Sequence, residues 1–278
     1  MSIEFTSDAR PPSNIRLLPG GFIRPAFGEL YGFDADADSS PTGPAAFPNA
    51  YSMSFDGTDD HLSNLESGPL YNWGANDHSI SAWVKPDTVA ISGGYTNPYQ
   101  SRSIVSRANV YFALYLTRDG YPALYWYDGA VRTLIATSTV STTVWTHIVA
   151  TWNANGCDIY VNGTLENSNA TQSPADASSS DNQFYIGKHG FGAQNYYGGL
   201  IDEVAVFGNE LSSTQVSDIY TGDGDLSTYA TDNTLNLDNW WRMGDSDSGT
   251  GTTVTDLGSE GYDLTLTNGA SFDSDTPF

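Results

Sequence analysis

The sequence predicts an all-β fold, an antiparallel β-sandwich, and three observations predict it. Aromatic residues make up 13% of the chain and charged residues only 15%, a balance that suits short strands joined by polar, uncharged turns. From residue 51 onward, strand-length segments alternate apolar and polar positions between Gly, Asn, Asp and Ser punctuation. Only Leu211 to Tyr220 carries helical spacing, with Ser212 or Ser213 as its N-cap.

Residues 1–50 are proline-rich and hold Arg10, Arg16 and Arg24 with apolar patches such as Ile15, Leu17, Phe22 and Phe27. Proline lacks a ladder donor and resists both helix and central strand, so this stretch reads as an extended arm lying on another surface. Strands follow at Tyr51–Phe55, Ser79–Val84, Ser103–Ser106, Tyr111–Leu116 and Ala123–Tyr127, the last two joined by an Arg118-Asp119-Gly120 turn. Trp145–Trp152 and Asp158–Val161 come next. Asn162-Gly163 then turns the chain into Thr164–Glu166, the clearest hairpin signal in the sequence. Phe184–Gly187 and Leu200–Phe207 close the sandwich. The tail, 223–278, contains further alternating segments around Trp240-Trp241, Val254 and Leu264-Thr265-Leu266.

Thirty-three acids against ten bases give a net charge of −23. That field repels nucleic acid and anionic membrane and favours divalent cations. No apolar run approaches the roughly 18 residues of a spanning helix, and the first residues lack a basic segment followed by an apolar one, so the reading places the chain in a cytoplasm without a leader. The lone Cys157 sits in an alternating segment and reads as a strand residue. The four histidines do not cluster, and no nucleophile elbow or paired-carboxylate strand motif occurs, so no catalytic residues are assigned.

Six phrases then occur in order: Phe55-Asp56-Gly57-Thr58-Asp59-Asp60, Ile80-Ser81-Ala82-Trp83-Val84-Lys85-Pro86, Trp145 to Trp152, Ile159 to Gly163, Tyr185-Ile186-Gly187, and Gly199-Leu200-Ile201-Asp202-Glu203-Val204. In that order the segment 50–221 resembles the laminin-G-like, concanavalin A-like jelly-roll family. The resemblance implies a jelly-roll sandwich over 51–222. It also implies a structural Ca²⁺ held by Asp202 together with Asp56, Gly57 or Asp59. The alternative is that these acids simply bond turn amides and hydroxyls. The tail is similar to the opening strands that usually precede the Phe-Asp-Gly phrase, so 223–278 is expected to supply strands to the sandwich in cis or to a neighbouring subunit.

Two aromatic, polar loops are candidate sugar-stacking sites: one with Tyr95 and Tyr99, the other with Phe191, Asn195, Tyr196 and Tyr197. The same residues could instead cover the ends of the sandwich. The expected function is a non-enzymatic virion structural protein of a bacterial virus, a capsid decoration or fibre component localised to the virion. Its partners would be other virion proteins met through the 1–50 arm and further copies of itself. The alternative is a calcium-dependent carbohydrate-binding module or adhesin for host-surface glycans.

Overall fold

Alternation along each strand decides which side chains meet between the layers and which face outward. In a computed structural model of the chain, residues 47–64, 77–90, 102–107, 112–172, 174, 183–190, 196–222 and 224–278 are described. They lie within one unit, Gly43–Phe278. The arm up to residue 46, and with it Tyr95, Tyr99, Phe191 and Asn195, falls outside the described residues.

The strands run β1 (Ser52–Asp56), β2 (His61–Asn64), β3 (His78–Pro86), β4 (Arg102–Arg107), β5 (Phe112–Leu116), β6 (Pro122–Tyr127), β7 (Val131–Ile135), β8 (Thr146–Asn153), β9 (Gly156–Val161), β10 (Thr164–Asn169), β11 (Phe184–Ile186) and β12 (Gly198–Phe207). Two helices follow, α1 (Ser213–Thr221) and α2 (Leu226–Asp232). The chain then returns to strands as β13 (Leu237–Trp241), β14 (Thr253–Val254), β15 (Leu264–Thr267) and β16 (Ser271–Asp273). The first sheet is ordered β10-β9-β8-β3-β12-β1-β16, with β13 also beside β12; the second is ordered β14-β15-β2-β11-β4-β5-β6-β7. Every pairing is antiparallel.

The ten residues of β12 pair with β3 along one edge and share the other edge between two strands. Gly198–Ile201 pair with β1, and Val204–Phe207 pair with β13. The tail thus enters both sheets of its own chain, β16 against β1 and β15 against β2. Trp241 of β13 stacks on Phe184 of β11 at 5.0 Å, so the tail also fills the space between the layers.

Across the second sheet the register aligns Leu62, Ile186, Val105, Leu114, Leu124 and Leu134 in one inward row. Met53, Ile201, Val84, Ile148 and Val161 face it from the first sheet and join the same core. A second cluster lies on the outer face of the first sheet, where Val216 and Ile219 of α1 and Leu226 of α2 pack with Val149, Tyr160, Phe207 and Trp240. Helix α1 begins where its cap was expected: Ser212 Oγ accepts from Gln215 N while the Gln215 side chain accepts from Ser212 N. At the β9–β10 hairpin, Asn162 and Gly163 both take positive φ (49° and 74°), the primed turn that Asn-Gly favours.

Candidate functional site

Between β1 of the first sheet and β2 of the second the chain crosses within four residues, and side chains of the turn supply bonds that no ladder provides there. Gly57 has φ 75°, and a Cβ there would lie 3.3 Å from Gly198 Cα, so the tight approach to β12 calls for glycine. Asp56 Oδ1 accepts from Thr58 N at 2.7 Å. Asp60 Oδ2 accepts from Asp56 N at 3.0 Å, and its Oδ1 from Gly269 N at 2.6 Å. The Thr58 amide holds the Asp56 carboxyl below its usual range. One carboxylate oxygen from each of Asp56, Asp59 and Asp60 falls within 4.8 Å of the others.

Aromatic groups adjoin this turn. His61 Nδ1 lies 2.9 Å from the Asp59 carbonyl. Its ring sits 6.1 Å from Tyr196 and 5.9 Å from Tyr185, whose face lies 4.7 Å below Lys188 Nζ. Burial lowers the pKa of both His61 and Lys188. The structure therefore brings Tyr196 and the Asp56–Asp59 turn, two separately expected features, to one rim through His61. Tyr185 belongs to the outer-face row of the second sheet, Thr265, Ser63, Tyr185, Ser106, Ala113, Tyr125 and Thr133, of which Ser63 to Tyr125 are buried.

Two expected site residues lie elsewhere. Tyr197 is fully buried, edge-on to Phe55 at 6.2 Å, with its hydroxyl donating to the Leu200 carbonyl; it is a core residue and cannot stack on a ligand. Asp202 does not share a site with Asp56, Gly57 or Asp59. Asp56 pairs with Gly198, so Asp202 lies four residues further along β12, roughly 13 Å at about 3.3 Å per residue.

A bulge between Asp202 and Ala205 puts Asp202 and Glu203 on the outer face together, with Glu203 at φ 47°. Asp202 Oδ2 accepts from Asn49 Nδ2 at 3.0 Å. Glu203 accepts from Arg242 Nε at 3.0 Å and Trp240 Nε1 at 2.5 Å. Asp245 accepts from Ala50 N at 2.8 Å and lies 3.3 Å from Arg242 Nη2, while Arg242 also donates to the Pro48 carbonyl. Burial raises the pKa of all three acids, Asp202 strongly and Glu203 to about 7, where Arg242 opposes the rise. Within this pocket Asn49 Oδ1 is buried without a hydrogen-bond partner, as is Oγ of Ser52, one residue beyond the Met53–Ile201 pair. The carboxylate oxygens of Asp202 and Asp245 and the two orphaned oxygens are hard donors of the kind Ca²⁺ takes, while the Arg242 guanidinium offers no ligand and opposes a cation. These oxygens come from Asp202, Asp245, Asn49 and Ser52, of which Asn49 lies outside every strand phrase; the acids whose ligand atoms all converge within 4.8 Å are instead Asp56, Asp59 and Asp60.

Ser81 Oγ lies 2.7 Å from His147 Nε2, the spacing of a nucleophile and its base. His147 is wholly buried, its pKa pushed down to about 3, between Trp83 (4.9 Å) and Tyr220 (6.0 Å). Ser81 is buried too, and the cavity it lines has a volume of only about 10 Å³, too small for a substrate.

A family model described as the concanavalin A-like lectin/glucanases superfamily matches residues 56–217, more than half of the chain. No curated protein matches the sequence. Among solved structures, a protein of Bacteroides ovatus described as carbohydrate binding superposes with a TM-score of 0.59 at 16% identity, over 82% of this chain and 60% of that one. The chain thus spans about 60% of that relative's length. The Ruminococcus gnavus sialidase CBM40, bound to α2,3-sialyllactose, gives 0.49 at 15% identity over 61% and 96%; the heptameric pentraxin of Limulus polyphemus gives 0.47 at 18% over 62% and 82%.

Proposed function

The chain belongs to the concanavalin A-like lectin/glucanases superfamily, and from that premise we propose that it is a non-catalytic glycan-binding domain. The observation that carries the reading is the convergence of the half-buried Tyr196 and Lys188, backed by the buried rings of His61 and Tyr185, with the exposed acidic turn at Asp56 and Asp59. A pyranose offers an apolar face to an aromatic ring and hydroxyls to carboxylate and ammonium groups; Tyr196 would supply the ring, and Asp56, Asp59 and Lys188 the charged partners. Asp202, Asp245, Asn49 and Ser52 would hold a structural calcium ion, whose charge would offset the buried acids. Binding of the full chain to an array of host-surface glycans tests the proposal. Tyr196→Ala should weaken the captured glycans at least about tenfold, as loss of an aromatic anchor does; undiminished binding removes the rim from the reading.

A second reading, assembly into a virion through residues 1–50, is favoured by one observation. The last four residues of that arm are fixed to the sandwich: Phe47 stacks on Trp240 at 6.0 Å, and Pro48, Asn49 and Ala50 bond Arg242, Asp202 and Asp245. An arm rooted in this way can transmit attachment to a partner protein or to another copy. Detection of the chain in purified particles, and their loss of it when residues 1–46 are deleted, checks this.

A further inference from the structure

A groove of about 430 Å³ opens on the outer face of the first sheet, the sheet opposite the Tyr185 row. Ala82 and Val84 point into the core, so Trp83 between them points outward and forms its base. Tyr220 stacks against Trp83 at 5.7 Å, and Phe278 meets it edge-on at 5.9 Å. Trp145 closes the other side, and Val144 stands at the lip with 63% of its surface exposed. Polar groups occupy one end: Lys85 Nζ lies 2.5 Å from Asp275 Oδ2, and Trp145 Nε1 donates to Asp275 Oδ1 at 2.8 Å.

We propose that this groove is a second ligand site, built for a neutral saccharide. Aromatic faces on several sides match the C–H face of a sugar ring, and the size is that of a small-molecule site. Lys85 and Asp275 neutralise one another, so this polar end of the groove carries no net charge to attract an ion. Yet the Asp275 carboxylate keeps acceptor capacity and the nearby Thr143 hydroxyl is exposed, which suits ligand hydroxyls. A purely apolar occupant, such as an acyl chain or an aromatic side chain, would cover the ion pair and leave it without compensating bonds. The ligand class follows the glycan-binding reading above, while the site itself rests on its own residues.

The test follows the Trp145 indole N–H of the full chain by NMR, the signal assigned through Trp145→Phe. Cellotriose, maltotriose and arabinotriose are added at millimolar concentration, with 3′-sialyllactose as the anionic comparison. At least one neutral trisaccharide should shift the signal, Val144→Glu at the exposed lip should weaken that response tenfold or more, and Tyr196→Ala should leave it unchanged. If no neutral sugar moves the indole, if sialyllactose moves it equally, or if Tyr196→Ala abolishes the shift, the groove is not a separate neutral-sugar site. A persisting indole response in a protein whose array binding ignores Tyr196→Ala would retain the groove and discard the rim.

Discussion

Asn49 donates its side-chain N–H to Asp202 at 3.0 Å, joining residues 153 positions apart in the chain. The bond links the root of the N-terminal arm to the bulge of β12, and both of its residues stand in the pocket where Asn49 Oδ1 and Ser52 Oγ lack partners. Several consequences of that pocket and of the core can be measured.

Calcium should stabilise the protein. A ligand that binds only the folded state adds about 2.7 kcal/mol at a hundredfold excess over its dissociation constant. Chelator should therefore lower the melting temperature by several degrees, and Asp202→Asn should abolish the difference. Calorimetry with and without chelator reads this directly; coincident curves would leave the pocket a hydrogen-bonded one.

The boundary of the arm should be sharp. Deleting residues 1–46 keeps the Phe47, Asn49 and Ala50 contacts and should leave stability unchanged. Deleting residues 1–50 strips partners from Asp202, Asp245 and Arg242, and unsatisfied buried groups should cost at least about 2 kcal/mol. Urea unfolding of the two truncations compares them.

His147 should make the protein acid-sensitive. Its pKa falls from 6.5 when unfolded to about 3 when folded, because burial disfavours the imidazolium. The unfolded chain then binds a proton that the folded chain refuses, so this stability is fully present above pH 6.5 and drains away as pH falls toward 3. The slope approaches about 1.4 kcal/mol per pH unit for one proton. His147→Gln should flatten it between pH 6 and 4 in denaturant titrations, whatever its effect on absolute stability.

Trp241→Ala should destabilise by about 3–5 kcal/mol, the usual range for a buried aromatic. Its ring packs on Phe184, and its indole N–H donates to the Tyr262 carbonyl at 2.9 Å. Chemical denaturation gives the value. A change under 1 kcal/mol would mean that the tail contributes little to the core.

The elements of the fold that could be read from the sequence are the local ones. Asn162-Gly163 specifies its own turn, and Ser212 with Gln215 specifies its own cap. The alternation in β3 shows directly because one face is core, and β5 and β6 show as short, continuous aromatic runs. Short β2 and exposed β7 lack that contrast, and α2 is a seven-residue helix capped by Asp225, too short for a periodic signal. The site was harder to read because it depends on register. Whether Asp202 reaches Asp56 is set by which residues of β1 and β12 pair, and whether Tyr196 or Tyr197 faces outward depends on a phase that a loop does not carry. Glu203 gave no signal, because strict alternation allows only one of two adjacent acids to face outward and the bulge breaks that rule.

The β1–β16 pairing has a mechanical consequence. Ser52, where β1 begins, sits opposite Asp273, where β16 ends, and Thr276 Oγ1 further ties the returning chain to the Asn49 carbonyl. Tension applied through the segments before Ser52 and after Asp273 would pull on two neighbouring residues at the same end of one antiparallel ladder. Its rungs run across the strands, so they would break in succession, as a zipper opens, and would not resist together in shear. A handle on residue 165 in the β9–β10 hairpin, pulled against one before Ser52, would instead load strands on opposite sides of the first sheet and should meet a higher rupture force.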